Sequence, residues 1–296
     1  TAVRIAKSLT KHWGVDAEFY FDDLDISQRL QVDDDHQYAF VLRALQQLQV
    51  IPVVGLNRTS HNSSVAQLKQ DGVIDSIAVA FRAEQADFDD FEDKKDDIDF
   101  DLLPIFDEFD EIDLILDCRL CTSLNVSETA QQIAAFARKF SRNYEKVRRI
   151  IITGSSIPAS IGDAASTNEV TILPRSELEI ITTARDLLAD IEIIIGDYAT
   201  VSPYFADKQF SPQLFPIVTA PRLIYSFNHS HYIARGTSLA IGGYEQYADL
   251  TNDLCARNFF RGSDYSSGEN YIIEKRERIG SNATNGTIVK PSVVAH

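Results

Sequence analysis

Residues 113–117 read Asp-Leu-Ile-Leu-Asp, a short apolar run with a carboxylate at each end. A run of large aliphatic residues without alternation is typical of a strand that is buried on both faces, as in a parallel sheet. Outward from this run, similar apolar stretches recur on both sides. We therefore predict seven strands: Glu18–Phe21, Ile51–Leu56, Ser76–Phe81, Asp113–Asp117, Arg149–Thr153, Ile191–Ile195 and Leu223–Phe227.

The segments between these strands have a helical period instead. Their apolar residues form three stripes, with Ser127 as a predicted N-cap and Gly14 and Gly72 as predicted helix ends. A late helix is predicted from about Tyr244 to Asn258. The stripes are Tyr38, Val41, Leu42, Leu45 and Leu48; Ile133, Phe136, Ala137 and Phe140; and Leu178, Ile181, Ala184 and Leu188.

Strand–helix alternation repeated this often predicts βαβ units with right-handed crossovers. We predict an α/β protein with a (β/α)8 TIM-barrel-like fold, as a single domain over residues 1–296. Seven strands are visible and the chain opens on a helical pattern, so we expect the first barrel strand to be missing from it. A doubly wound open parallel sheet is the alternative, but the Gly-rich turn of its nucleotide-binding version is not visible after the first strand.

The chain is acidic, with 28 Lys and Arg against 44 Asp and Glu and a net charge of −16. Between Glu84 and Asp113, fifteen acidic residues stand against Lys94 and Lys95, a local net charge of 2 − 15 = −13. Two interpretations remain open: a solvated helix face, or a docking surface for a basic partner. In the first, these apolar residues face the core: Phe88, Phe91, Ile98, Phe100, Leu102, Leu103, Ile105, Phe106 and Phe109.

The same composition limits the cellular compartment and the kinds of binding partner that we expect. A negative field disfavours general nucleic-acid binding and anionic membranes. The three cysteines and the lack of a secretory signal predict a reduced, cytoplasmic protein. Cys118 and Cys121 have a metal-ligand spacing, and His229 and His231 lie elsewhere in the chain. A lone CxxC is weak evidence for zinc, so buried thiols are the default interpretation.

Polar residues stand where the predicted strands end, and in barrels functional residues collect at those ends. Arg58 and Arg82 could bind an anionic ligand, whereas Asp22, Asp117 and Asp197 could hold Mg²⁺. Alternatively, these charges pair with one another and have only a structural role. The backbone amides around Gly154 could cradle an oxyanion or simply form a tight turn. The predicted ligand-binding residues are Asp22, Arg58, Arg82, Asp117, Ser155, Asp197, Tyr198, Arg222 and Arg235.

An ordered series of short motifs over nearly the whole chain resembles the bacteriophage "beta" protein family. The resemblance implies a barrel-like α/β protein of phages, prophages and bacteria, with no established catalytic mechanism. The motifs are Pro52-Val-Val-Gly-Leu-Asn-Arg58, Leu114-Ile-Leu-Asp117, Gly154-Ser-Ser-Ile-Pro158, Pro174-Arg-Ser-Glu177, Gly196-Asp-Tyr-Ala199, Arg222-Leu-Ile-Tyr225, Ile233-Ala-Arg-Gly236, Tyr244-Glu-Gln-Tyr247 and Phe260-Arg-Gly-Ser-Asp-Tyr-Ser266, followed by Ser267-Gly-Glu269.

Three hypotheses remain open, of which one is a purely structural or decoy role for the acidic surface, and whether the protein is an enzyme remains open too. The resemblance implies a binding or neutralising component of a phage-defence or toxin–antitoxin-like locus. Its partner would be a protein encoded nearby or an anionic small ligand, with no cofactor. The alternative is a Mg²⁺-dependent hydrolase of phosphoesters or nucleotides, in which the aspartates bind the metal and the arginines clamp the phosphate.

Overall fold

The computed structural model describes residues 2–27, 30–32, 35–204, 217 and 219–277. The chain divides into two compact units. The first unit comprises Thr1–Asp117, Ser127–Thr153 and Thr183–Gly196, and the second comprises Cys118–Val126, Gly154–Thr182 and Asp197–His296, each in its described part. The single barrel domain over 1–296 stays a prediction.

The strands form one large sheet and two small ones. A curled, six-stranded parallel sheet has the order β1-β4-β5-β6-β7-β9, and β2 and β3 form a two-stranded antiparallel sheet. The strands are β1 Phe19–Phe21, β2 Gln31–Val32, β3 Asp35–His36, β4 Val50–Val54, β5 Ala78–Glu84, β6 Glu111–Leu120, β7 Val147–Ser155, β8 Glu169–Pro174, β9 Ile193–Ile195, β10 Arg222–Phe227 and β11 Ser230–Arg235.

The order of the strands in the parallel sheet distinguishes the predicted barrel from a doubly wound sheet. Its strands follow one another in the order of the chain, as in a barrel, whereas a doubly wound sheet reverses its order at a switch point. Six of the seven predicted strands are confirmed as members of this sheet. Among the described strands, β1 and β9 are the two edges, so these strands do not close an eight-stranded barrel by themselves.

The seventh predicted strand was assigned to the wrong sheet. Leu223–Phe227 falls in β10, which pairs antiparallel with β11, and β11 pairs antiparallel with β8. Phe227 is opposite Ser230, so only two residues connect β10 to β11. Such a short connection can join only antiparallel strands, because a parallel pair needs a crossover of a dozen or more residues. The apolar run alone did not distinguish the two pairings.

The described helices are mostly short. Ser127 lies inside α7 rather than capping it, so that prediction was wrong, whereas the helix ends at Gly14 and Gly72 are confirmed by positive φ values of 93° and 69°. No helix within these ranges is long and apolar enough to cross a membrane. The helices are α1 Ala2–His12, α2 Gln37–Leu45, α3 Thr59–Gln70, α4 Gln85–Phe88, α5 Phe91–Asp101, α6 Leu103–Phe106, α7 Val126–Asn143, α8 Ser176–Leu187, α9 Leu239–Gly242, α10 Gln246–Cys255 and α11 Ser267–Glu277, with a 3₁₀ turn at Ile161–Asp163.

The acidic segment forms α4, α5 and α6, and most of its apolar residues are buried as expected. Phe100 and Leu103 are the exceptions, at 83% and 37% exposure, so the prediction that they face the core was wrong. The buried residue Ile98 precedes Phe100 by two positions. Two residues turn a helix by about 200°, which places Phe100 on the opposite face.

The core of the first unit contains an aromatic cluster. Phe140 of α7 is fully buried, and its ring lies 5.8 Å from Phe81 of β5 and 6.3 Å from Phe106 of α6, between centroids. Phe136 and Tyr144, each four residues away along the chain, lie 6.2 and 4.6 Å from the same ring. Rings at these separations pack favourably beyond their buried area, so the cluster fastens α7 and α6 to β5.

Candidate functional site

The loop after β4 positions Arg58. The Asn62 side chain, in the first turn of α3, donates to the Gly55 carbonyl at 2.8 Å and accepts from the Gly55 amide at 3.4 Å. A Cβ on Gly55 would lie 3.0 Å from Arg58 Nε and 3.2 Å from its Cζ. The lack of a side chain at Gly55 therefore lets the guanidinium lie close to the backbone.

Arg58 belongs to a group of four charged residues that we call the arginine–aspartate cluster: Asp22, Arg58, Arg82 and Asp117. Arg58 Nη1 donates to Asp22 Oδ1 at 2.7 Å, and Arg82 Nη1 donates to Asp22 Oδ2 at 2.8 Å. Arg82 Nε also donates to Asp117 Oδ2 at 3.0 Å. Asp22 thus bridges two guanidiniums at the carboxyl edge of the parallel sheet, where functional residues of α/β barrels collect.

The cluster is largely buried and balances its own charge. Asp117 is fully buried, and the side chains of Arg58, Asp22 and Arg82 are 8%, 14% and 14% exposed. Charge-assisted hydrogen bonds are strong in such surroundings, since little water screens them. Two guanidiniums and two carboxylates sum to zero. The outer part of the cluster, at Asp22 and Arg82, reaches solvent.

A buried contact between Asp23 and His61 adjoins Asp22 and was missed by sequence reasoning. Asp23 Oδ1 lies 2.8 Å from Nδ1 of the fully buried His61, and Gln37 Nε2 donates to Asp23 Oδ2 at 2.8 Å. The other ring nitrogen of His61 lies 2.6 Å from the Val53 carbonyl. Burial acts to raise the pKa of the Asp23 carboxyl, but His61, Gln37 and the charge of Arg58 outweigh it and hold that pKa below its ordinary value.

This pKa shift predicts a loss of stability in acid. The folded-state pKa of Asp23 is lower than the unfolded one, so its stabilising effect is present above the unfolded pKa of about 3.9 and is lost as the pH falls through the folded value. Urea unfolding of the wild type and of Asp23→Asn, from pH 7 down to pH 3, should show a stability difference that shrinks below about pH 4. Asp16→Asn, at an exposed carboxylate, is the control. A difference that stays constant with pH would contradict the assignment.

The predicted residues Ser155 and Asp197 belong to the second unit. Ser155 Oγ donates to the Val201 carbonyl at 3.1 Å and accepts from the Ile157 amide at 3.0 Å, which is a local structural role. Asp197 Oδ2 accepts from Arg175 Nη2 at 2.7 Å, and Arg175 Nε donates to Glu177 Oε1 at 2.8 Å. Sequence reasoning did not select Arg175 and Glu177, although both lie in the quoted Pro174–Glu177 motif and are buried.

The remaining predicted residues are also in the second unit. The carbonyl of Tyr198 accepts from the Val201 amide at 3.2 Å. Arg222 and Arg235 lie opposite each other on β10 and β11, and Arg235 Nη1 donates to the Ala165 carbonyl at 3.0 Å. Both arginines thus belong to the three-stranded antiparallel sheet, and their ligand-binding role stays a prediction.

The metal and oxyanion hypotheses find no geometric support in the described residues. A Cβ on Gly154 would lie 2.6 Å from Cys121 Sγ and 3.2 Å from Cys118 Cβ, so this glycine serves close packing against two buried cysteines that form no disulfide. The described ranges contain no group of three or more His, Cys, Asp or Glu residues that could hold a metal ion. The magnesium site at Asp22, Asp117 and Asp197 stays a prediction.

Comparison with known proteins gave one finding. A family model described as Beta protein matches residues 1–296, which is the whole chain. No curated protein matches, and neither does any solved structure.

Proposed function

The chain belongs to the Beta protein family, and from that premise we propose that it is a binding protein whose site is the arginine–aspartate cluster. The site binds an anionic group, a carboxylate or a phosphate, which is carried by a small ligand or by a partner protein. The biological setting proposed is a phage-defence or toxin–antitoxin-like locus, in which the chain neutralises a protein encoded nearby. We also propose that the curled parallel sheet is part of a (β/α)8 barrel that contains further strands.

One observation carries this proposal: two guanidiniums, Arg58 and Arg82, point at the same carboxylate, Asp22. Guanidiniums bind carboxylate and phosphate oxygens with matching geometry. A ligand anion that displaced Asp22 would meet both arginines already held in place, Arg82 by Asp117 and Arg58 by the Gly55 loop. Preorganisation of this kind lowers the entropic cost of binding.

The test is calorimetric titration of the purified chain with inorganic phosphate. Asp22→Asn removes the competing carboxylate, so we expect it to raise phosphate affinity about tenfold, or about 1.4 kcal/mol. Arg58→Gln should abolish the binding. Asp35→Asn is a matched control, because it breaks an ion pair with Arg43 outside the cluster and should leave the affinity unchanged.

Co-expression with the products of neighbouring genes shows whether the bound anionic group belongs to a partner protein or to a small ligand. A partner that co-purifies with the wild type but not with Arg58→Gln identifies a carboxylate of that protein as the ligand. Phosphate binding without a co-purifying partner identifies a small anion. If neither occurs, even with Asp22→Asn, the proposal is wrong. No observation favours the Mg²⁺-dependent hydrolase, since Asp22 and Asp117 are both engaged by guanidiniums.

A further inference from the structure

The second unit contains a cavity of about 420 Å³ that none of the predicted site residues lines. Its walls come from the end of β10, the turn after it and the segment after α10. A volume of this size lies within the range of small-molecule sites, about 300–1,000 Å³. The lining residues are Phe227, Asn228, Asn258, Phe259 and Arg261.

The apolar wall of the cavity is a stack of aromatic rings. The rings of Phe227 and Phe259 are parallel within 7°, with centroids 3.8 Å apart. Tyr225 continues the row, with its centroid 6.3 Å from that of Phe259. Phe227 and Phe259 are only partly buried, so part of each ring is accessible to a ligand. An aromatic row of this kind accepts a further planar ring by stacking.

Arg261 is held rigidly, and its charge is balanced. Its Nε donates to Tyr225 Oη at 2.8 Å and to Glu269 Oε1 at 3.0 Å, and its guanidinium lies 4.0 Å over the Tyr265 ring. Glu269 is fully buried, so its carboxylate is a poorly screened counter-charge. The guanidinium therefore provides a fixed polar edge rather than an excess positive charge, and the cavity favours an uncharged ligand over an anion.

Two asparagines supply the remaining polar groups. Asn228 and Asn258 are exposed, and within the described residues neither carboxamide has a hydrogen-bond partner. Asn228 also has a positive φ of 46°, a backbone conformation that is seen most often in glycine and asparagine. A carboxamide carries a donor and an acceptor side by side, which matches the paired donor and acceptor on the edge of a base.

We propose that this cavity binds a nucleobase, presented by a free nucleoside. The base stacks on the Phe227–Phe259 row, and the carboxamides of Asn228 and Asn258 bind its polar edge. A single-stranded polynucleotide offers the same base, but the chain's net charge of −16 disfavours a phosphate backbone. The site is independent of the arginine–aspartate cluster.

The test is titration of the full chain with adenosine, guanosine, cytidine and uridine, and separately with a single-stranded oligonucleotide. Asn228→Gly removes the carboxamide and tolerates the positive φ, so the backbone stays unstrained. We expect Asn228→Gly to weaken nucleoside binding about tenfold. Phe259→Leu should weaken it by a similar factor, because it removes the stacking of the base on the ring. Asn168→Gly is the matched control, because Asn168 also has a positive φ, of 59°, and lies outside the cavity.

The outcomes separate the two sites of the protein. Nucleoside binding that weakens in Asn228→Gly, but not in Asn168→Gly or Arg58→Gln, supports the proposal whatever the result with phosphate. Absence of binding by all four nucleosides at millimolar concentration overturns it, as does equal binding by the wild type and Asn228→Gly. Binding of the oligonucleotide alone overturns the assignment to a free nucleoside.

Discussion

Phe140→Ala is expected to lower the free energy of unfolding by about 3–5 kcal/mol, the typical effect of removing a buried aromatic ring. Phe140 is fully buried, and its ring packs against Phe81 of the sheet, Phe106 of α6 and Tyr144. Its removal leaves a cavity between α7, α6 and β5. The loss is a large part of the 5–15 kcal/mol that stabilises a typical domain. Urea denaturation followed by circular dichroism measures it.

Phe100→Ala is the matched control for this experiment. It makes the same chemical change on α5, at a side chain that is 83% exposed, so we expect a change within about 0.5 kcal/mol. Similar losses in the two variants would contradict the burial assigned to the two rings. A loss in Phe100→Ala alone would mean that the acidic face of α5 is covered.

Arg82→Leu is expected to cost about 3–5 kcal/mol of stability, because it removes one partner of a buried ion pair. Asp117, which Arg82 neutralises through Nε and Nη2, is fully buried, so its charge would lose that compensation. Asp22 would keep only Arg58 of its two guanidinium partners. Thermal and urea unfolding at neutral pH measure the loss.

A double-mutant cycle separates the ion pair from the packing of the arginine side chain. Asp117→Asn removes the buried charge but keeps the shape of the side chain. In Arg82→Leu/Asp117→Asn no charge is stranded, so we expect the double variant to be more stable than the sum of the single losses predicts. Strict additivity would show that Arg82 and Asp117 do not interact as the structure indicates. The cycle concerns stability, so it stays valid whatever the cluster binds.

The sequence predicted the elements of the first unit better than the pairing in the second. Buried parallel strands are continuous apolar runs, and six such runs from Glu18–Phe21 to Ile191–Ile195 became strands of the parallel sheet. Strand β8 was missed, although Glu169–Pro174 contains Val170, Ile172 and Leu173; in the structure its residues are exposed or half-buried. Strand β11 was also missed, although it lies two residues after a predicted strand.

For the candidate site, the sequence predicted which residues take part better than it predicted which of them contact each other. The ends of the strands pointed to Asp22, Arg58, Arg82 and Asp117, and the structure brings these four together. The sequence did not reveal that Asp22 bridges both arginines, nor that Arg175 and Glu177 engage each other near Asp197. The cavity beside Phe259 was not predicted from the sequence, because its walls come from two segments that are about 30 residues apart along the chain and meet only in the fold.

By itself, the sequence determined the class of the protein, the six strands of its parallel sheet, its acidity and its family. These properties depend on composition and on residues that are neighbours along the chain, where apolar period and run length are visible directly. Tertiary structure alone decided that β10 pairs antiparallel, that Arg82 meets an aspartate 60 positions away, and that Phe100 faces solvent. The physical reason is that the partner of a buried charge or of a strand depends on which residues the fold brings close to it. Many different pairings satisfy the same local sequence pattern.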